Sequence, residues 1–491
     1  MNVSESLQWN TDSLFFLASE GVVLIGFLLI LIAGLIPSLS GFRFLKTIFL
    51  VTMVVATFTT FYSWPVDPLT LFGGLLRTDD FGSFFKIIFY AGAFITGWMT
   101  SPSQRRYHEY FLLVMAAVMG SGWLVMSFSL ITLILSLEIV SICGYVLTGF
   151  LFTKSGAEGS LKYFLMGSAF TALMIYGASL LYGYTGTFDF SSESFFHQIT
   201  TGPERLVLIG GFLVLGGMII KIAAAPLHFW APDAYEGAPT PVVAFFSVVP
   251  KLAGFAILCR FTLALHSFGQ SPVSWQEILV GLAIASMGIG NFAALAQKKP
   301  KRLLAYSSVA QTGFMLLALA CLRLESIHAL LFYAIVFAIG NFLVFLALQT
   351  WEDEHGCTDI SSFAGKGKHA LVLSVGISIG LLSLTGLPPL AGFTAKLFLF
   401  TQVWGVADQT QDNLLYLAFG FGLLNTVISL FFYLRIPFFL FFRSQGSEPI
   451  GSPETKLSTS LLVALLAIAL IALFLRPDAL TGWINRVTFV L

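Results

Sequence analysis

The sequence predicts an all-α polytopic membrane protein of about 14 transmembrane helices, with two inverted five-helix repeats and broken seventh and twelfth helices. Three observations predict it. Of 491 residues, 57% are hydrophobic and only 10% charged, with a mean hydropathy of +0.88. Soluble domains carry about 25% charged residues, so an ordinary soluble enzyme is excluded. Apolar runs near the roughly 20 residues that a bilayer core requires recur along the whole chain. Two of those runs are interrupted by clustered prolines and glycines.

The runs lie at 14–37, 44–62, 84–102, 111–127, 130–152, 161–184, 205–231, 238–265, 276–296, 303–322, 327–350, 370–405, 413–441 and 457–475. The first follows a polar start with no Lys or Arg before Arg43, unlike the basic leader of a cleaved signal peptide, so it is expected to remain. Ser127 to Ser129 is barely a loop between the fourth and fifth. The chain then divides into 1–110, three N-terminal helices; 111–265, the first repeat; 276–441, the second; and 457–491, the last helix. The longest loops, 63–83, 185–204 and 351–369, have room for turns or short surface helices but not for a domain. Gly288, Gly290 and Ala293 form a GxGxxA pattern, but no strand precedes it, so it reads as helix packing rather than a dinucleotide site.

Loop charges set the expected orientation. With the N-terminus outside, inward loops and their flanks hold 14 basic residues and outward ones 6, which by the positive-inside rule places both termini outside. Basic and acidic residues balance at 25 each, so nothing points to nucleic acid. The four cysteines are scattered, whereas an iron–sulfur cluster or structural zinc needs clustered thiolates.

Five basic residues fall inside spans: Lys221, Lys251, Arg260, Lys396 and Arg435. Arg260 and Arg435 lie near span ends, where they are expected to reach headgroups. Glu138 reads as the only carboxylate well inside a span. A charge at the bilayer centre costs about 2.5–3.5 kcal/mol on insertion scales, so Glu138, Lys221, Lys251 and Lys396 each require a reason. One structural ion pair would account for Glu138 and a single lysine, not for three. Lysine also suits a proton carrier, because its compact ammonium changes pKa on burial while arginine stays protonated.

The breaks fall beside these lysines. The seventh span carries Pro226, Pro232, Pro239 and Pro241 shortly after Lys221; the twelfth carries Gly386, Pro388, Pro389 and Gly392 just before Lys396. Proline removes a backbone donor and clashes one turn back, so both runs should unwind at mid-depth, where open backbone is tolerated only against protein or water. The breaks are an odd number of helices apart, so the two helices run oppositely, as paired broken helices in an inverted repeat do. His228, two residues past Pro226, either relays protons or satisfies carbonyls freed by the break. Asp233 and Glu236 either gather protons or face water.

Three segments, KIAAAPLHFWAPDAYEGAPTPVVAFFSVVPK at 221–251, KRLLAYSSVAQTGF at 301–314 and LTGLPPLAGFTAKLFLF at 384–400, resemble the antiporter-like subunits of respiratory complex I. That family is shared with multisubunit cation/proton antiporters and membrane-bound hydrogenases. The resemblance covers roughly 85–485. It implies a proton relay in which Glu138 pairs with Lys221, Lys251 passes protons on, and Lys396 stands nearest the outer exit. A lysine at 396 and the short C-terminus resemble the N type rather than the M or L type. Many relatives have histidine where this chain has Gln311, so a titratable step there is missing or replaced.

The resemblance further implies a proton-translocating subunit of an NADH:quinone oxidoreductase in the bacterial inner membrane. Flavin, iron–sulfur clusters and quinone would belong to partner subunits, with M-type and K-type chains as membrane neighbours and no cofactor in this chain. The rival readings are a subunit of a Na⁺/H⁺ antiporter, a subunit of a ferredoxin- or hydrogenase-linked complex, and a membrane subunit that pumps nothing.

Overall fold

A chain without water around it must close its backbone hydrogen bonds within each span, and helices do so. The computed structural model describes residues 13–101, 106–201, 204–267, 274–443 and 457–489. Among these, 11 helices are long and apolar enough to cross a membrane. The helices Glu204–Lys221 and Pro300–Leu319, and the pair Leu371–Thr385 and Ala391–Thr410, occupy the remaining places in the expected order. The chain is a multi-pass, all-α membrane protein.

The weak fourth–fifth boundary is a real break. Tyr107–Met126 ends before Ser127, and Leu130–Thr148 begins after Ser129, whose hydroxyl accepts from the Ile131 amide. Between them, Ser127 bridges to Leu76 and Ser129 to Asp189 in extended backbone. The 63–83 loop contains a small antiparallel hairpin, Leu69–Leu71 with Leu76–Thr78. Its turn uses Gly73 and Gly74 at φ +69° and +89°, conformations that favour glycine. The sixth helix starts at Lys154 rather than near 161, because Thr153 caps it by accepting from the Gly156 amide.

Contacts divide the described residues into two units. One runs to Ile222 and includes Gly237–Trp275 and the residues from Val487; the other holds Ala223–Glu236 and Gln276–Arg486. Each has nearly submerged helices: in the most apolar 18-residue stretch of Thr240–His266, in the first, 94% is buried, and in that of Leu324–Asp353, in the second, 89%.

The first unit corrects two charge assignments. Lys86, one of the six basic residues counted with the outward loops, lies inside Asp80–Met99, buried, with its ammonium 2.6 Å from the carboxylate of Glu20. Glu20 is buried too, in the first turn of its own helix. Gly122 leaves room for Glu20, since a Cβ there would stand 3.1 Å from Glu20 Oε1. Arg260 does not reach headgroups. It is fully buried and donates through both terminal nitrogens to Asp79, at 2.8 and 2.6 Å, and through Nε to the Val125 carbonyl at 2.7 Å. The rings of Phe128 and Phe81 stack near its guanidinium, at 4.5 and 5.0 Å. The planar fork matches a carboxylate in both bonds, which makes burial here more favourable than a reach toward water. In the second unit Arg435 also turns inward, donating to the carbonyls of Leu295 and Gln297, which end a neighbouring helix.

Removing one partner of a buried ion pair leaves an uncompensated charge, at a cost of about 3–5 kcal/mol. Asp79→Ala is accordingly expected to lower the yield of assembled protein and its melting temperature. Asp79→Leu combined with Arg260→Met should recover much of that loss. A wild-type melting temperature for Asp79→Ala would contradict this reading of Arg260.

Candidate proton-transfer site

In the first unit, Glu138 sits half-buried on Leu130–Thr148, and its Oε1 accepts a 2.5 Å hydrogen bond from Thr171 of the Lys154–Thr185 helix. Lys221 is the last residue of Glu204–Lys221 and is buried. Its ammonium donates to the hydroxyls of Ser141 at 2.6 Å and Tyr145 at 3.2 Å. The expected direct ion pair between Glu138 and Lys221 is not formed. Thr171 draws the carboxylate toward its own helix, and Lys221 meets the hydroxyl one turn further along. Glu138, Ser141 and Tyr145 share a helix face by their i, i+3, i+7 spacing, a signal that the sequence carried and that attention to charges alone overlooked. Gly167 gives Tyr145 its place: a Cβ at 167 would lie 2.0 Å from the Tyr145 oxygen.

Lys251 is also in this unit, deeply buried on Thr240–Ser267. Pro250 precedes it inside the helix and has no amide hydrogen to give that turn.

In the second unit, the first break runs between Lys221 and the short helix Trp230–Gly237 and contains the cis peptide Ala225–Pro226. Ser286 accepts from the Ala225 amide at 2.9 Å. His228 is buried in the break against Phe229 and Tyr306. The short helix is held by ion pairs: Arg302 lies 2.6 Å from Asp233 and 2.8 Å from Glu236, and Lys299 lies 2.5 Å from Glu236. Partial burial pushes the Glu236 carboxyl up, but the bonds from Lys299 and Arg302 outweigh it and hold the group below its ordinary value. The stabilisation is therefore complete above the usual carboxylate range and is lost only as pH falls through the lower folded value. At neutral pH Asp233 and Glu236 fasten the break through these ion pairs.

The second break separates Leu371–Thr385 from Ala391–Thr410 and contains the cis peptide Pro388–Pro389. A helix end leaves four carbonyls open, and all four are met. Leu382 accepts from the Gly386 and Leu387 amides and Ser383 from the Gly386 amide, while Leu384 accepts from Gln311 Nε2 at 2.8 Å and Thr385 from Lys396 Nζ at 2.8 Å. Gly386 has φ +89°, and a Cβ there would stand 2.8 Å from Lys396 Cδ, so both backbone and lysine demand glycine. The Lys396 ammonium lies 4.3 Å from the Phe314 ring centroid. A small pocket beside it is lined by Gln311, Tyr333, Ser383 and Gly392. The negative end of the Leu371–Thr385 dipole favours a cation at this point.

Gln311 thus places an amide that bonds the break. Its Oε1 accepts from the Tyr333 hydroxyl and its Nε2 also donates to Tyr433 at 2.9 Å; Tyr433 in turn shares a short hydrogen bond with Ser307. Thr171, Ser141, Tyr145, Tyr333 and Tyr433 were not singled out from the sequence, because hydroxyls inside apolar runs carry no individual signature. Among the described residues no group of three or more His, Cys, Asp or Glu is placed to hold a metal.

A multi-pass helical chain with two interrupted helices and a buried lysine at each defines a class, the antiporter-like membrane subunits. Residues 127–424 match the transmembrane family described as NADH:quinone oxidoreductase/Mrp antiporter, and the chain belongs to that family. Within it, the similarity is to N-type subunits. NADH-quinone oxidoreductase subunit N of Dehalococcoides mccartyi is 33% identical over 96% of this chain and 98% of its own length. NAD(P)H-quinone oxidoreductase subunit 2 of Gloeothece citriformis is 35% identical over 85% of this chain and 81% of its own. A chain of respiratory complex I from Thermus thermophilus superposes with a TM-score of 0.79 at 30% identity, covering 94% of this chain and 98% of that one. A chain of the Mrp complex from Dietzia, at 19% identity and a TM-score of 0.81 over 95% of this chain and 96% of that one, shares the fold.

Proposed function

We propose that this chain is the N-type, proton-translocating membrane subunit of an NADH:quinone oxidoreductase. It is part of an enzyme, a translocase, in which electrons travel through other chains. The observation that carries the reading is a contrast in how buried cations are held. Lys86 and Arg260 are locked against carboxylates, whereas Lys221 donates to two hydroxyls and Lys396 to a backbone carbonyl. A neutral amine keeps a hydrogen bond to a hydroxyl or carbonyl oxygen, so either lysine can lose its proton without stranding a buried carboxylate. A lysine facing a buried carboxylate cannot.

In the first unit, Glu138 lies one turn from Ser141, the residue to whose hydroxyl Lys221 donates. Its approach favours the ammonium, and its withdrawal toward Thr171 favours release toward Lys251. The redox half of the complex would drive that alternation. In the second unit Lys396 exchanges its proton beside the break, and His228 serves the first break as a relay. The halves 111–265 and 276–441 are proposed as the inverted repeats. The similarity to N-type subunits supports M-type and K-type neighbours and a complex in which flavin, iron–sulfur clusters and quinone sit in other chains. The loop charges support a bacterial inner membrane with both termini on the periplasmic side.

Two outcomes are expected. A cysteine at position 299, whose lysine side chain is half exposed, should be labelled by an impermeant thiol reagent only from the cytoplasmic face; labelling from the periplasm would overturn the orientation. Lys396→Met keeps the length and removes the titratable group, and should abolish proton translocation in membrane vesicles normalised to assembled complex. Lys396→Glu restores a titratable group and should retain part of it. Full translocation by the Met variant would retire the carrier role of Lys396.

A further inference from the structure

Two carbonyls at the second break are met by side chains from elsewhere, and they belong to adjacent residues. Leu384 accepts from Gln311 and Thr385 accepts from Lys396. The peptide unit joining Leu384 to Thr385 is planar, so anchoring the first carbonyl restricts the direction of the second. We infer that Gln311 is a positioning residue for Lys396: it fixes the unwound backbone so that the Thr385 carbonyl faces the amine. This rests on the proposed carrier role of Lys396.

The amide has one available orientation. Tyr333 donates to Oε1, so Nε2 must point toward the break, where its two hydrogens are taken by the Leu384 carbonyl and the Tyr433 hydroxyl. Tyr433 is itself fixed by Ser307. All four groups are buried. Tyr333 and Gln311 also line the pocket that contains Lys396, so the same side chains shape the space into which the amine moves. An amide has no protonation equilibrium near neutral pH and both its hydrogens are committed. Its contribution is therefore geometric rather than that of a carrier.

Removing the amide leaves the Leu384 carbonyl without its donor, so the peptide unit that it anchors is free to turn and the Thr385 carbonyl is no longer held facing the amine. Gln311→Leu is expected to reduce proton translocation per assembled complex roughly tenfold, the scale set by one orphaned buried acceptor. Gln311→His, which can still donate through one ring nitrogen and accept from Tyr333 through the other, should restore most of the rate. Tyr333→Phe preserves shape and releases only the orientation of the amide, and should lower the rate in the same direction by a smaller factor.

The test measures translocation in vesicles for these three variants beside Lys396→Met. A silent Lys396→Met with a slow Gln311→Leu, rescued by Gln311→His, supports the inference. If Lys396→Met is silent while Gln311→Leu keeps the parent rate, the positioning role is wrong and the carrier reading stands. Should Gln311→Leu fail to assemble, a parent rate for Tyr333→Phe overturns the positioning role on its own. Full translocation by Lys396→Met overturns the reading on which the inference rests. A His variant as slow as the Leu variant would also overturn the inference.

Discussion

A charge taken out of water must be met by something, and the identity of that partner separates the fixed parts of this protein from the parts that work. Two buried cations in the first unit meet carboxylates at close range, Lys86 with Glu20 and Arg260 with Asp79. Breaking either pair strands a charge, so neither group is free to change protonation state. Lys221 and Lys396 meet neutral oxygens instead. Those oxygens accept from an ammonium or an amine alike. The same physical penalty thus fastens one set of helices, and the proposed carrier role of Lys221 and Lys396 rests on their being held without a carboxylate.

The second helix break supplies the carbonyl that meets Lys396, whereas Lys221 finds its hydroxyls on the unbroken helix Leu130–Thr148, and neither break costs the fold its hydrogen bonds. At the second break every terminal carbonyl of Leu371–Thr385 has a donor, two from the chain itself and two from Gln311 and Lys396. The first break is secured differently, by Ser286 on the Ala225 amide and by the ion pairs of Arg302 and Lys299 with Asp233 and Glu236. Unwound backbone at membrane depth persists only where protein satisfies it, and both breaks meet that condition with side chains from neighbouring helices.

Much of this was legible in the sequence. Apolar runs of bilayer length, the two proline clusters and the lysines beside them followed from composition and spacing, because bilayer thickness and proline chemistry act locally. The partners did not. Whether Arg260 snorkels or turns inward depends on Asp79, far away in the chain, and no spacing rule links them. Lys86 was counted with the outward loops, but its helix starts at Asp80, where Asp79 accepts from the Gly82 amide; a cap decided the boundary that hydropathy blurred. The family resemblance implied Glu138 and Lys221 as a pair. Ser141 and Thr171, which decide how far apart they are held, are ordinary residues of apolar helices until the helices pack.

The account depends most on Glu138 acting on the charge of Lys221 without being locked to it. The direct test is the number of protons moved per electron by Glu138→Gln in assembled complex in sealed vesicles. Glutamine keeps a hydrogen-bond acceptor for Thr171 and removes the charge, so the ratio should fall well below that of the parent. A ratio equal to the parent's would show that the carboxylate takes no part in moving protons.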